Sequence, residues 1–266
     1  MSYLKVDGIT KRFGDVVALN DVSFEVPAGE FVIVLGVSGS GKSTLLRTMS
    51  GLLSPTEGEI QIDGQPMITP RPEVAMIFQQ HNIIDDMSAY SNALSGGINE
   101  FGFLSSVLQL QDESEKHRAL DALDTVGLLS EAEQKARRMS GGQQQRVGIA
   151  RALVQRPNVL LADEPVASLD PGSAQDVMGY LRSASKERDL TTFCSLHQVN
   201  IARKFGHRFI GLRNGKKVFD GYRDELTIDV IDDLYGDIDT EGMFVSGSGD
   251  TRGTVDDAPT TQPEQS

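Results

Sequence analysis

Nine residues, Gly36 to Thr44, constrain this chain more than any others: they read G-V-S-G-S-G-K-S-T. The spacing matches the phosphate-binding pattern G-x-x-x-x-G-K-[ST] at Gly36, Gly41, Lys42 and Ser43. Glycines let the backbone turn tightly and approach a phosphate with no Cβ in between. Successive N–H groups along Val37, Ser38, Gly39 and Ser40 then form an anion nest, and the helix that follows adds its positive end. Lys42 has the reach for β- and γ-phosphates, and the Ser43 hydroxyl is a ligand type for Mg²⁺. Phe31–Leu35 before the loop is a short apolar run that suits a buried strand, and Leu45–Met49 after it suits a helix. Strand, loop and helix are the setting the pattern needs. A Gly/Ser-rich surface turn with a chance lysine would lack those flanks.

Bulk properties narrow the class of protein. Of the 266 residues, 39% are hydrophobic and 24% charged, as in a globular protein of one large or two modest domains. No apolar run reaches 18 residues, and Met1–Asp7 lacks the apolar centre of a signal peptide, so a cytoplasmic location is expected. The single cysteine, Cys194, excludes an intrachain disulfide and a cysteine-rich zinc site. Net charge is −13, which argues against nucleic acid as a partner, since a phosphate backbone calls for a basic face. Residues 237–266 hold seven acids and one base, so that tail carries −6 of the total and the body −7. The tail is rich in Gly, Ser, Thr, Asp and Pro. Its few apolar side chains cannot offset the entropy of ordering it, and disorder is expected there.

Along the chain, 3–9 and 22–26 alternate as antiparallel edge strands. Phe13, beside a Gly-Asp turn, suits either the core or the face of an adenine ring. The run Val74–Phe78 ends at Gln79, where α/β folds place ligand contacts, although a solvated loop glutamine has the same spacing. Residues 88 to about 135 turn to helical periodicity, as an inserted helical subdomain would. Ser140-Gly141-Gly142-Gln143 then offers an N-cap and a second glycine-rich helix start, with the helix running to about Gln155.

The apolar run Val159–Ala162 leads into Asp163 and Glu164, at a strand end where adjacent carboxylates can separate into an Mg²⁺ ligand and a base for water. A merely solvated acidic turn is the alternative. After Ser168-Leu169-Asp170-Pro171 a helix is expected to about Arg188. Thr191–Leu196 reads as a buried strand that delivers His197 to the phosphate side. Asn214-Gly215 is a hairpin signal, and Arg223 to Tyr235 reads as a short closing helix.

Taken together and in this order, these motifs resemble the nucleotide-binding subunit of ATP-binding cassette (ABC) transporters over residues 1–236. The resemblance implies an α/β, P-loop NTPase (RecA-like) core with a mixed sheet, an antiparallel N-terminal β-subdomain and an inserted α-helical subdomain at about 86–156. Met139 stands where leucine is usual before the Ser-Gly-Gly-Gln signature. The resemblance further implies ATP and Mg²⁺ as cofactors, with these roles. Phe13 stacks on adenine. Gly36 to Thr44 hold the phosphates. Ser43, Gln79 and Asp163 serve the metal, Glu164 is the general base, and His197 contacts the γ-phosphate beside Lys42. Asp170 belongs to the loop linking two sites, and Ser140, Gly141, Gly142 and Gln143 complete the site of a second subunit. A homodimer bound to membrane permease subunits, on the cytoplasmic side of the cell membrane, is the implied assembly. An extracytoplasmic solute-binding protein would serve it indirectly.

A narrower likeness is carried by Phe78-Gln79-Gln80-His81-Asn82, by Ala162 to Pro171, by Ser195 to Val199, by Val218-Phe219-Asp220-Gly221 and by Leu234-Tyr235-Gly236. These are similar to the phosphonate-importer ATPases, implying uptake of phosphonate or a related oxyanion. The alternatives are another importer solute (phosphate, phosphite, a polar amino acid) or a soluble cassette in repair or translation. Two cassettes or a long coiled-coil insertion are usual in the latter, and this chain has one cassette and a short helical insert.

Overall fold

In a computed structural model, residues 4–79, 83–100 and 113–236 are described, with the side chains of 98–100 excepted. The expected strands begin as one long hairpin, β1 (Leu4–Phe13) and β2 (Val16–Val26). Both are longer than the alternation indicated, because bulges at several points along the pair break the period without ending the ladder. β4 (Glu57–Ile62) pairs with the other side of β1, so β1 is an inner strand rather than an edge. With β5 (Gln65–Pro66) the antiparallel sheet has the order β2-β1-β4-β5.

The second sheet has six strands: β3 (Phe31–Leu35), β6 (Val74–Ile77), β7 (Val159–Asp163), β8 (Thr191–Leu196), β9 (Arg208–Arg213) and β10 (Lys216–Tyr222). Their order is β10-β9-β3-β8-β7-β6, parallel throughout except for the β9–β10 hairpin. Asn214 and Gly215 make that turn with φ of 50° and 75°, the left-handed pair a two-residue hairpin demands.

The central strands β3, β7 and β8 are buried on both faces, and their side-chain alternation sorts them into two cores. Val32, Val34, Leu161, Phe193, Ile210 and Leu212 face the antiparallel sheet and helix α1 (Lys42–Met49), whose Leu45, Leu46 and Met49 fill the gap. Ile33, Leu35, Leu160, Ala162, Cys194 and Leu196 face the other way. They meet α5 (Pro171–Glu187), α6 (Val199–Phe205) and α7 (Ile228–Tyr235). Each fully buried large side chain contributes roughly 1.5–3 kcal/mol relative to exposure. Cys194 belongs to this second core. Burial, and then the nearby Asp163 charge, push its thiol well above the usual range, which keeps it inert.

Helices α2 (Ala89–Leu94), α3 (Glu113–Thr125) and α4 (Gly141–Val154) pack on one another, and α4 also packs on α5. A six-residue 3₁₀ segment, Ser95–Glu100, continues α2. Asn92 is 1% exposed and pins the entry to α2, accepting from the Ile84 amide and donating to the Ile84 and Ser88 carbonyls. The closing helix expected from Arg223 is two pieces. A 3₁₀ turn at Arg223–Glu225 comes first, and α7 then starts afresh because the Thr227 hydroxyl caps the Val230 amide. The tail 237–266 and the likeness residues Gln80, His81 and Asn82 lie outside the described residues.

Candidate functional site

The ends of four parallel strands, β3, β6, β7 and β8, and one helix start build the site. β3 delivers Gly36 at φ 149°, and Gly41 enters α1 at φ 105°. A Cβ on Gly36 would sit 2.3 Å from the Leu212 carbonyl oxygen, and one on Gly41 would sit 2.7 Å from that of Ala18. Both positions therefore exclude a side chain on two counts, backbone conformation and space. No side chain caps α1, so its first N–H groups remain directed at the loop.

A cavity of ≈ 360 Å³ opens here, lined by Val16, Val17 and Ala18 on one side and Ser38, Gly39, Gly41, Lys42, Ser43, Thr44, Gln79 and Glu164 on the other. Lys42 is 4% exposed. Its ammonium donates to the Gly36 and Val37 carbonyls at 2.8 and 3.1 Å and lies 3.4 Å from Glu164 Oε1. The other carboxylate oxygen of Glu164 lies 3.8 Å from His197 Nδ1. One carboxylate therefore spans the loop lysine and the histidine at the end of β8.

Asp163, 3% exposed, accepts the Ser43 hydroxyl at 2.8 Å and the Ser195 hydroxyl at 3.0 Å, both on Oδ1. The Arg47 guanidinium stands 3.9 Å from Oδ2. Glu164 has φ 47°, a left-handed conformation that costs an L-residue roughly 1–2 kcal/mol. Its amide donates to Ser195 Oγ at 2.8 Å, which offsets part of that cost. The turn sends the two adjacent carboxylates to different tasks. Asp163 stays under α1 and Glu164 reaches the cavity. Ser43 and Asp163 form an all-oxygen pair in contact, the donor chemistry of a hard divalent ion that takes its remaining ligands from water and phosphate.

Other expected residues lie apart. Phe13 is 49% exposed, pairs across the hairpin with Val16 beside the cavity wall, and carries the Lys11 ammonium 5.1 Å from its ring centroid. It is not a core residue. Val37, Ser40 and Gly36 shape the loop without lining the cavity. Ser140 to Gln143 start α4 away from the cavity. The Ser140 hydroxyl accepts the Gln143 amide, and the Gln143 side chain accepts the Ser140 amide, a closed capping box. Gly141 lies against Leu169 and Gly142 against Ser173. Asp170 caps α5 through the Gly172 and Ser173 amides, and hydrogen bonds from Ser173 and Gly172 hold its carboxyl below the usual range. The ten residues from Glu164 to Ser173 thus connect the cavity carboxylate to the second helix start.

Three contributions had no role assigned to them from the sequence, although Ser195 and Tyr235 lie in stretches that carry the narrower likeness. Val16 to Ala18 form a cavity wall because the β1–β2 hairpin folds over the loop. Ser195 couples Asp163 to Glu164 through sheet register. Tyr235, on α7, places its buried hydroxyl near the Gly36 amide and Glu164. Burial pushes that phenol up to about 12, with the Gly36 amide acting in the opposite sense and the Glu164 charge adding to the rise.

A parallel sheet whose central strand leads through a glycine loop into a helix, with an Asp–Glu pair ending the strand two places away in the sheet, defines a P-loop nucleoside triphosphatase. Residues 19–167 match the ABC transporter family. The chain is 60% identical to the phosphonates import ATP-binding protein PhnC of Halobacterium salinarum, over 98% of this chain and 92% of that protein. It is 44% identical to the protein of the same name from Thiobacillus denitrificans, over 88% and 93%. Among solved structures, the ADP conformation of the cassette MJ1267 superposes with a TM-score of 0.76 at 28% identity, covering 85% of this chain and 93% of that one. The dimeric post-hydrolysis cassette MJ0796, bound to ADP and Pi, gives 0.70 at 33% identity, covering 83% and 98%. This chain belongs to the ABC transporter family and is an ATP-binding cassette of it.

Proposed function

We propose that this chain is the ATP-hydrolysing subunit of an importer for phosphonate or a related oxyanion, working as a homodimer on the cytoplasmic face of membrane permease subunits. The solute reaches them from an extracytoplasmic binding protein. The observation that carries the ATPase part is the convergence of Lys42, Ser43, Glu164 and Gln79 on one cavity, with Asp163 bonded to Ser43 beneath it. The 60% identity to a phosphonates import ATP-binding protein supports the solute class. Among the described residues no helix is long and apolar enough to cross a membrane. In this reading the permease holds the chain at the membrane.

In this reading residues 1–236 are the cassette, with its helical subdomain at about 86–156. Lys42 leaves the Glu164 carboxylate for the β- and γ-phosphates of ATP, and the open amides of the loop and of α1 hold the remaining oxygens. Phe13 and the wall Val16–Ala18 take the adenine side. Ser43 and Asp163, with Gln79, hold Mg²⁺, which supplies charge neutralisation on the phosphates. Glu164 accepts the proton of the attacking water, and His197 meets the γ-phosphate. Ser140 to Gln143 of a second copy close the site over the nucleotide.

The test is ATPase activity of the transporter reconstituted with permease and binding protein. Stimulation by phosphonate well above that by phosphate or a polar amino acid is expected. Equal stimulation by all three, or by phosphate alone, overturns the solute assignment. No hydrolysis with any of them overturns the enzymatic one.

A further inference from the structure

We infer that Ser195 is a positioning residue for ATP hydrolysis, one hydroxyl that fixes both the carboxylate under the metal site and the backbone turn that aims the general base. The inference rests on the roles proposed above for Asp163 and Glu164. Ser195 sits in the middle of the parallel sheet, registered beside Val34 on one side and Asp163 on the other. It is 0% exposed. Its face of β8 is the one that carries Phe193 into the apolar core under α1. A hydroxyl there is costly unless both its donor and an acceptor lone pair are used.

Both are used, and in one direction. The Glu164 amide donates to Ser195 Oγ at 2.8 Å, and the Ser195 hydroxyl donates to Asp163 Oδ1 at 3.0 Å. An N–H can only donate and an ionised carboxylate can only accept, so the hydroxyl has no alternative orientation. Asp163 Oδ1 is held from the other side by Ser43 at 2.8 Å. The carboxylate therefore cannot rotate without breaking two bonds. The same hydroxyl anchors the amide of a residue held at φ 47°, and that conformation carries the Glu164 side chain to 3.4 Å from Lys42 and 3.8 Å from His197. Without the anchor, the base loses its aim while the phosphate loop, built by β3 and α1, keeps its form.

The expected signature of Ser195→Ala follows from that separation. The turnover number falls about 10–100-fold, the range of a buried hydrogen bond to a charged group, while KM for ATP stays within about threefold. The Mg²⁺ concentration for half-maximal nucleotide binding rises, and amide exchange at Glu164 accelerates. Ser195→Thr, which keeps the hydroxyl, returns the turnover number and the Mg²⁺ dependence toward wild type. Ser195→Cys keeps the size with a weak donor and decides by the same criteria if the alanine variant does not fold. Wild-type turnover and Mg²⁺ dependence in the alanine variant overturn the inference, as does a threonine variant as slow as the alanine one. Mg²⁺-dependent nucleotide binding and amide exchange need no turnover. A wild-type chain without ATPase activity would thus count against the proposed function, and an unaltered binding and exchange profile against Ser195.

Discussion

Two glycine-rich helix starts in this chain look alike as sequence and are built differently. At α1 the N-cap is Gly41 in a left-handed conformation, no side chain caps the helix, and the amides face a cavity that also receives Lys42 and Glu164. At α4 the N-cap is Ser140, and its capping box with Gln143 engages the Ser140 and Gln143 amides and leaves those of Gly141 and Gly142 outside the box. Ser140 and Gly141 are exposed, and none of 140–143 touches the cavity. The first start opens onto the cavity of its own subunit. The second lies apart from that cavity, so a phosphate held there does not meet it. In the proposed reading, the Gly141 and Gly142 amides of that start meet the nucleotide of a second copy when two copies pair.

The largest effect that could break this contrast is expected at the cavity. Glu164→Gln lowers the turnover number by about 10²–10⁴ while ATP binding persists, read by steady-state hydrolysis and nucleotide titration. Turnover close to wild type would take the base role from Glu164. Next comes the pair Gly41→Ala and Gly141→Ala. The first forces a Cβ into φ 105° and to 2.7 Å from the Ala18 carbonyl oxygen, and ATP affinity is expected to fall about 10–100-fold. The second meets only the Leu169 side chain at 3.3 Å, and ATP affinity of the monomer stays within about twofold. Equal losses in the two variants would erase the distinction.

Tyr235 offers a smaller test, since its phenol stands near the Gly36 amide, where the loop that leads into α1 begins. Its folded pKa of about 12 lies above the 10.0 of a free phenol. Its neutral form thus contributes fully below pH 10, and the contribution disappears as pH rises from 10 to about 12. Over that window the wild type loses about 2–3 kcal/mol that Tyr235→Phe does not lose, measured by urea unfolding at stepped alkaline pH. The smallest effect belongs to the capping box. Ser140→Ala costs about 1 kcal/mol, a melting shift of about 2–4 °C, with ATP binding to the monomer unaltered.

The legible parts of this molecule are those in which function is written in consecutive residues. Gly36 to Thr44, the strand ends at Gln79, Asp163 and His197, the Ser140 cap and the Asn214-Gly215 turn depend on local conformation, and the structure places them as the spacing indicates. Phe13 stayed open between the core and the face of an adenine ring because burial at a hairpin tip depends on what packs over it. Ser195 was read as one residue of a buried strand and as the start of the Ser195 to Val199 likeness, with no role of its own. Its bonds exist only because β8 runs beside β7 in the register that sets it against Asp163, and no local period encodes register between strands 32 residues apart in sequence. Val16 to Ala18 and Tyr235 were hidden for the same reason: they reach the loop from the second strand and from the last helix.

The central claim, a site divided between two copies of one chain, is tested most directly by mixing two inactive full-length variants. Lys42→Ala removes the phosphate lysine and leaves Ser140 to Gln143 intact, whereas Ser140→Arg does the reverse. Each variant alone is expected to hydrolyse ATP poorly, since every site in either homodimer lacks one half. In the mixed dimer one site draws its loop from the Ser140→Arg copy and its signature from the Lys42→Ala copy, so the mixture regains hydrolysis well above either variant alone. Activity of the mixture no greater than the average of the two separate variants, with dimers present, would contradict the shared site.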